Sequence, residues 1–324
     1  VLPIFIFDKN ILDPFAERKA RRIDYIHQAL QSLQVQLNEW KSTLLTCYGD
    51  PLFVMEELME QYDVQALYAN RDYEPQARAR DKSVFQLLES KGIPFRAYKD
   101  QVIFDRKDIL KSDGSPYVVF SAYAKRWREV LRAEHYTAVL PNWSNFFKTD
   151  KRDIISLAAL GFQKTDMLFE KPTVDLYALD QYAERRNYPA LMGTTQLGIA
   201  LRFGTVSVRH CVTLGLRFND TWLSELIWRE FFMQILYFWP SVEKESFKSA
   251  YANISWLNQE ADFASWCAGN TGYPLVDAGM RELNATGYMH NRVRMVAASF
   301  LCKHLLIDWR WGEAYFAAKL NDYD

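Results

Sequence analysis

The sequence predicts two domains of different class: an α/β domain with a parallel sheet, followed by an all-helical domain. Its 324 residues exceed the ~100–200 residues typical of one domain. Strand-like and helix-like segments alternate in the first part of the chain, and such alternation predicts a parallel sheet with right-handed crossovers. In the last part, helical patterns follow one another without strands. We therefore place the domains at residues 1–132 and 173–324, with a connecting segment at 133–172.

The predicted strands are apolar runs rich in β-branched and aromatic residues, and they lie at Leu2–Phe7, Thr43–Tyr48, Val64–Tyr68 and Pro94–Tyr98. Helical patterns separate or follow them at Ile23–Trp40, Pro51–Tyr62, Gln76–Lys91 and Val119–Leu131. The helical domain has patterns at Gly193–Phe203, Val206–Leu216, Trp222–Phe238, Asp262–Ala268, Tyr273–Thr286, Asn291–Trp309 and Trp311–Leu320. Apolar residues make up 49% of the chain, which is enough for two cores.

Composition limits the function classes. The net charge is −1, so contact with nucleic acid would need a local basic patch. The four cysteines form no C-x-x-C pair, which favours a reducing, cytoplasmic location and predicts no metal site. The sequence shows no signal peptide and no long uncharged apolar run, so we expect no membrane partner. The chain starts at Val1 within a strand-like run and stops at Asp324, and we expect it to be an internal fragment.

One helical pattern carries a candidate base-binding face. Glu225, Trp228, Arg229 and Phe232 have the spacing i, i+3, i+4 and i+7, which places them on one side of a helix. A base could stack on the indole and hydrogen-bond to the carboxylate, while a phosphate pairs with the guanidinium. The alternative is a buried helix with a stabilising i,i+4 Glu–Arg pair.

A second segment is locally basic. Residues 281–310 hold five basic and two acidic side chains, a difference of +3, which is the charge pattern that phosphate contacts need. Asn291, Arg294, Met295 and Ala298 share one helical stripe there. A solvated charged face is the alternative.

A third candidate is the stretch from Gly193 to Gly198, with the sequence GTTQLG. Hydroxyl residues before a helix are ordinary N-caps, but the same geometry can bind an anion through free backbone N–H groups.

Four longer strings, taken in order, resemble the DNA photolyase/cryptochrome family, in its bacterial-type branch that repairs cyclobutane pyrimidine dimers. They are YAERRNYPALMGTT at Tyr182–Thr195, SELIWREFF at Ser224–Phe232, TGYPLVDAGMRELNATGYMHNRVRM at Thr271–Met295 and LLIDWRWGEAYFAAKLNDYD at Leu305–Asp324. The resemblance implies a Rossmann-like α/β antenna domain followed by an all-α FAD-binding domain. It also implies that the family's opening strand and its C-terminal part lie outside this chain.

The resemblance implies two groups of flavin contacts. The phosphate and ribitol side would be met by Tyr182, Thr194, Thr195, Gln196, Leu197 and Gly198. Gln196 and Gly198 stand where the family usually has a basic residue and a serine. The isoalloxazine and ribose side would be met by Asp322, Tyr323 and Asp324, with Arg294 paired to Asp322.

The resemblance also implies the substrate contacts. Catalysis would use Glu225 to hydrogen-bond the flipped dimer and Trp228 to stack on it, with Asn291 and Met295 beside it. The DNA surface would comprise Glu225, Leu226, Ile227, Trp228, Arg229, Glu230, Phe231, Phe232, Asn291 and Arg292. Trp309 and Trp256 match the middle and outer members of the family's electron-transfer chain.

The implied function is light-driven repair of pyrimidine dimers in DNA by electron transfer from reduced FAD, in a monomeric lyase. The residues leave the antenna chromophore open: a deazaflavin, a second flavin and no antenna at all are the alternatives. A cryptochrome, which is a flavin photoreceptor without repair activity, is the alternative function. A helical interaction protein whose aromatic residues only fill its core is the third.

Overall fold

The computed structural model describes residues 1–15 and 17–323. The chain divides into two compact units. The first unit comprises Val1–Lys171, Val208–His210 and Glu230–Tyr237, and the second comprises Pro172–Ser207, Cys211–Arg229 and Phe238–Asp324. The fold class predicted from the sequence, α/β followed by all-α, is confirmed by these elements and by the structural comparisons reported below.

The first unit contains four short strands: β1 (Ile4–Asp8), β2 (Leu45–Gly49), β3 (Leu67–Asn70) and β4 (Phe95–Tyr98). β1 pairs with β2 and β3 pairs with β4, and both pairs are parallel. Within residues 1–15 and 17–323 the strands form two separate two-stranded sheets, whereas the sequence predicted a single sheet.

The helices of the first unit follow or connect these strands: α1 (Lys9–Leu12), α2 (Arg21–Glu39), α3 (Pro51–Gln61), α4 (Pro75–Ser90), α5 (Phe120–Val130) and α6 (Ala133–Tyr136). α3 shows why they start where they do. Asp50 accepts a hydrogen bond from the Leu52 N–H at 2.9 Å, and Pro51 occupies the first turn, where its missing N–H costs nothing.

The segment predicted as a connection contributes to a core of the first unit. Leu160 and Phe162, which are 4% and 3% exposed, pack in one cluster with Phe7 and Leu37. Burial of such side chains stabilises the fold by roughly 1.5–3 kcal/mol each. The domain boundaries remain a prediction.

The second unit is helical, with α7 (Leu176–Asp180), α8 (Tyr182–Arg185), α9 (Gly198–Arg202), most of α10 (Val208–Phe218), the first part of α11 (Asp220–Phe238), α12 (Glu260–Ala268), α13 (Pro274–Thr286), α14 (Asn291–Lys303) and α15 (Trp309–Lys319). Its main core joins α12 to α15 around Trp266, Met280 and Leu283, none of which has measurable exposure. α12 and α13 end at Gly269 and Gly287, whose φ angles of 68° and 72° are left-handed.

Two predicted helices are shorter than the sequence pattern suggested. The pattern Gly193–Phe203 becomes helical only at Gly198, because Gln196 adopts a left-handed φ of 49°. The pattern Asn291–Trp309 breaks after Lys303, since Leu306 has a φ of 50° and Asp308 caps a new helix by accepting from the Arg310 N–H at 3.0 Å.

Across the described parts of the chain, we find no helix with the length and apolarity required to cross a membrane.

Candidate functional site

An ion pair between α14 and the chain's last described turn forms the centre of the candidate site in the second unit. The Arg294 Nη2 donates to Asp322 Oδ2 at 2.9 Å, and the Arg294 Nε donates to the Met289 carbonyl at 2.7 Å. These two bonds fix the plane of the guanidinium. The other carboxylate oxygen, Asp322 Oδ1, is buried and lies 2.9 Å from the same Nη2 in the ion pair, but it accepts no hydrogen bond of good geometry from residues 1–15 and 17–323. A carboxylate oxygen has more than one acceptor position, so a ligand could donate a further hydrogen bond to it.

Gly198 lies directly against this carboxylate. A Cβ atom at position 198 would stand 2.2 Å from Asp322 Oδ2, so only glycine allows this approach. The structure thus brings the GTTQLG stretch and Asp322 together, as the flavin hypothesis requires. Nearby, the Trp222 Nε1 donates to Thr195 Oγ1 at 3.2 Å and Leu197 is buried, which holds the turn before α9 in place.

The remaining predicted flavin contacts are placed as follows. Tyr182 is buried, and burial raises the pKa of its phenol to about 12. Thr194 hydrogen-bonds to Tyr288, while Gln196 is exposed in the turn. Tyr323 is half-buried and lines the cavity described next. Asp324 lies outside the described residues.

A cavity of about 440 Å³ opens beside the ion pair. Arg294 and Asp322 form its polar side, and Trp266, Trp309 and Phe316 are among its aromatic walls. This volume is in the range of small-molecule sites. Flat apolar walls, one cation and one carboxylate oxygen that can accept a further hydrogen bond suit an aromatic ring system with a hydrogen-bonding edge. A flavin has this chemistry, so the residues present fit FAD.

The candidate substrate residues on α11 are only partly as predicted. Glu225 is paired with Arg186 through the guanidinium Nη1, and both side chains are partly accessible. Trp228 and Arg229 are half-buried, and the Arg229 Nη2 donates to the Leu201 carbonyl at 3.2 Å. Phe232 is 59% exposed.

The prediction that every residue from 225 to 232 contacts DNA is wrong for four of them. Leu226, Ile227, Glu230 and Phe231 are 7%, 0%, 4% and 5% exposed. A contiguous helical run turns through the full circle, so a surface on one side leaves the other side in the core. Glu230 is the extreme case: it accepts four hydrogen bonds inside the first unit, and burial raises its pKa to about 7.

The start of α14 presents the other candidate DNA contacts. Asn291, Arg292 and Met295 are exposed, and Met295 retains 56% of its accessible surface. The Arg292 Nε donates to Asn187 Oδ1 at 2.8 Å. His290 caps the helix, since its Nδ1 accepts from the Arg292 N–H at 3.2 Å.

The two predicted relay tryptophans lie in different settings. Trp309 begins α15 and lines the cavity beside Arg294 and Asp322. Trp256 is half-buried in the segment that precedes α12. Both keep some solvent access, which the outer member of such a chain, matched by Trp256, would need to receive electrons from an external donor.

Sequence analysis missed three residues of the site: Arg186, His290 and Trp266. Arg186 and His290 lie inside the quoted strings, but no spacing rule links Arg186 to Glu225, which is 39 positions away. Trp266 packs in the core and also forms a cavity wall, and its place in the predicted helix Asp262–Ala268 does not indicate the second role.

Comparison with known proteins gives the same class as the fold and the site, a flavin-binding light enzyme or photoreceptor. Residues 1–142 match the family profile described as DNA photolyase, and residues 222–324 match the FAD binding domain of DNA photolyase. A deoxyribodipyrimidine photo-lyase from a Synechococcus species is 33% identical, with 100% of this chain and 73% of the relative covered. The corresponding protein of Escherichia coli is 32% identical, with coverage of 94% and 69%.

Comparison with solved structures gives the same family. A bacterial class III photolyase from Agrobacterium tumefaciens has a TM-score of 0.85 at 29% identity, covering 100% of this chain and 71% of that one. An archaeal photolyase from Sulfolobus tokodaii with two FAD molecules has a TM-score of 0.79 at 30% identity, with coverage of 100% and 73%. A Synechocystis cryptochrome gives 0.82 at 25% identity, with coverage of 100% and 73%. The chain belongs to the DNA photolyase family, and it carries the family's FAD-binding domain.

Proposed function

We propose that this protein is a light-driven lyase that splits cyclobutane pyrimidine dimers in DNA. The observation that carries the proposal is the second unit's site, where the Arg294–Asp322 ion pair borders an aromatic cavity. Relatives at 31–33% identity are deoxyribodipyrimidine photo-lyases, which favours repair over the photoreceptor role of the more distant cryptochrome. Reduced FAD supplies the excited electron that opens the dimer.

Arg294 and Asp322 position the cofactor in this proposal. The guanidinium places a fixed positive charge beside the cavity, and such a charge favours an anionic, reduced ring over a neutral one. Asp322 would accept a hydrogen bond from the bound cofactor, and Trp309, which lines the cavity, would pass electrons to it.

Glu225 and Trp228 recognise the base. The Arg186 guanidinium donates to Glu225 Oε1. The second oxygen, Oε2, makes no hydrogen bond within the described chain, and it is therefore available to accept the imide N–H of a thymine. Trp228, one turn further along α11, offers an aromatic face for stacking, which is worth roughly 1–3 kcal/mol per base.

Three further properties belong to the proposal. We infer a cytoplasmic monomer that acts on damaged DNA. The Sulfolobus relative with two FAD molecules supports a second, light-harvesting chromophore in this protein. Asn291, Arg292 and Met295 complete the surface that receives the flipped dimer.

The test is repair of a thymine dimer in a short oligonucleotide by FAD-loaded protein under blue light, with a dark control. Glu225→Gln keeps the size of the side chain but replaces one acceptor oxygen by a donor. We expect it to retain FAD and to lower the repair yield about tenfold, since a charged hydrogen bond contributes roughly 1.5–3 kcal/mol. Glu260→Gln, on the exposed first turn of α12, is the matched control. FAD binding without light-dependent repair by the wild type would establish the photoreceptor alternative. Equal repair by both variants would instead remove Glu225 from the mechanism.

A further inference from the structure

The first unit contains a second cavity, with a strongly polar lining. Its volume is about 410 Å³, and five residues line it: Lys19, Arg21, Lys164, Thr165 and Asp166. They come from two segments that are about 145 positions apart in the chain, so that folding alone assembles them. No predicted site residue belongs to this group.

The lining is positively charged. It holds three cations and one carboxylate in a protein whose net charge is −1, and the Asp24 carboxylate adjoins it at Thr165. Arg21 and Asp166 pair through two bonds, Nε to Oδ1 at 2.9 Å and Nη2 to Oδ2 at 3.2 Å. The side chains of Lys19 and Lys164 form no ion pair or hydrogen bond with any described residue. Lys164 interacts electrostatically with the nearby Asp24 carboxylate. Two ammonium groups at one cavity favour an anionic occupant.

Hydrogen bonds hold the two walls in place. The Gln163 N–H donates to the Arg18 carbonyl at 2.9 Å. The Thr165 N–H and hydroxyl both donate to Oδ2 of the buried Asp24, at 2.6 and 2.7 Å. These bonds fix the backbone of both walls, while the exposed side chains of Lys19 and Lys164 remain able to adjust to a ligand.

We propose that this cavity binds a small phosphomonoester, such as the phosphate end of a sugar phosphate or a mononucleotide. A phosphomonoester carries nearly two negative charges at pH 7, which complements the excess of cations in the lining. Duplex DNA fits the cavity less well, since each of its diesters carries one charge on a convex backbone. The site does not depend on the proposed repair function.

The experiment titrates the whole, FAD-loaded protein with ribose 5-phosphate in the dark and follows binding by calorimetry. Lys19→Ala/Lys164→Ala removes both ammonium groups and leaves the Arg21–Asp166 pair intact. Lys107→Ala/Lys151→Ala removes two exposed lysines of the same unit and is the charge-matched control. We expect the first double variant to bind at least about tenfold more weakly, with a smaller salt dependence, since each charged contact is worth about a factor of ten. The control variant should bind as the wild type does.

Several results would overturn the assignment. Wild-type protein that shows no saturable binding is one, and equal affinity in the two double variants is another. Ribose binding as tightly as ribose 5-phosphate would show that the phosphate is not recognised. Undamaged duplex DNA could displace the sugar phosphate from the wild type. If Lys19→Ala/Lys164→Ala also bound this DNA more weakly, the cavity would be a DNA contact instead. Dimer repair is measured on the same variants and should be unchanged. A loss of sugar-phosphate binding without a loss of repair would therefore bear on this cavity alone, and a loss of repair would bear on the proposed function alone.

Discussion

The buried carboxylate of Glu230 should make the stability of the first unit fall as pH rises. Its Oε2 accepts from the Ile103 N–H at 2.7 Å. Its Oε1 accepts from the Phe104 N–H at 3.1 Å, the Trp127 Nε1 at 2.7 Å and the Tyr123 hydroxyl at 3.2 Å. Burial outweighs these four bonds and raises the pKa from 4.5 to about 7.

The sign and size of the effect follow from this pKa. Below pH 4.5 the group is protonated in both folded and unfolded chains and has no pH-dependent effect. Between pH 4.5 and 7 the unfolded chain releases its proton first, so the folded state loses stability, by about 3 kcal/mol in total. Glu230→Gln cannot ionise, but it turns an N–H donor toward the Ile103 N–H, at a cost of roughly 1–3 kcal/mol. Glu230→Ala leaves four donors without their acceptor and should cost about 4 kcal/mol or more at every pH.

The assay is urea unfolding of the wild type and both variants at several pH values between 5 and 8. Glu230→Gln should be the less stable protein at pH 5, and its deficit should shrink by about 2–3 kcal/mol by pH 8. If the difference in free energy of unfolding between the wild type and Glu230→Gln stayed constant from pH 5 to pH 8, the raised pKa would be refuted. A loss below about 1 kcal/mol in Glu230→Ala would refute the structural role of the four hydrogen bonds.

Two further predictions concern the second unit. Trp309→Phe keeps size and apolarity, so folding and FAD binding should survive while photoreduction of the flavin slows sharply; an unchanged photoreduction rate would remove Trp309 from the relay. Arg292→Ala should weaken binding to damaged and undamaged DNA alike and reduce the salt slope by about one, whereas Arg281→Ala serves as an exposed control on α13. A wild-type salt slope in Arg292→Ala would show that it is only a surface charge.

The elements with strong periodicity were predictable from the sequence. The four strands and α2, α3 and α4 are where the apolar runs and helical patterns placed them, within about three residues. Which strands pair with each other was not predictable, because the sequence of a short apolar strand does not indicate the strand that it will pair with. The single predicted sheet is therefore two strand pairs in the part of the chain that the structure describes.

Helix α11 shows why part of the candidate site could not be read from the sequence. Apolar and aromatic residues occur all round it, so its pattern does not distinguish a core face from a ligand face. Glu230 has the same charge as Glu225 and lies five positions away, yet one is buried under four hydrogen bonds and the other pairs with Arg186. Only tertiary contacts separate these two roles.

The glycine at position 198 shows how a departure from the family pattern can be explained by packing. The family's usual serine would place its Cβ 2.2 Å from Asp322 Oδ2, which the observed position of Asp322 does not allow. Gly198→Ala should therefore displace the carboxylate and weaken its bond to Arg294. We expect about tenfold weaker FAD binding, measured by flavin fluorescence, for a loss of about 1.4 kcal/mol.

The double-mutant cycle isolates this cause. Asp322→Ala removes the atoms that the new methyl group would meet, so adding Gly198→Ala to it should not lower FAD affinity further. In that background the exchange should stabilise the start of α9 slightly, because alanine is the better helix former by about 1 kcal/mol. Equal losses from Gly198→Ala in both backgrounds would mean that the glycine acts through the backbone of the turn. The close approach of Gly198 to Asp322 would then have no part in binding the flavin.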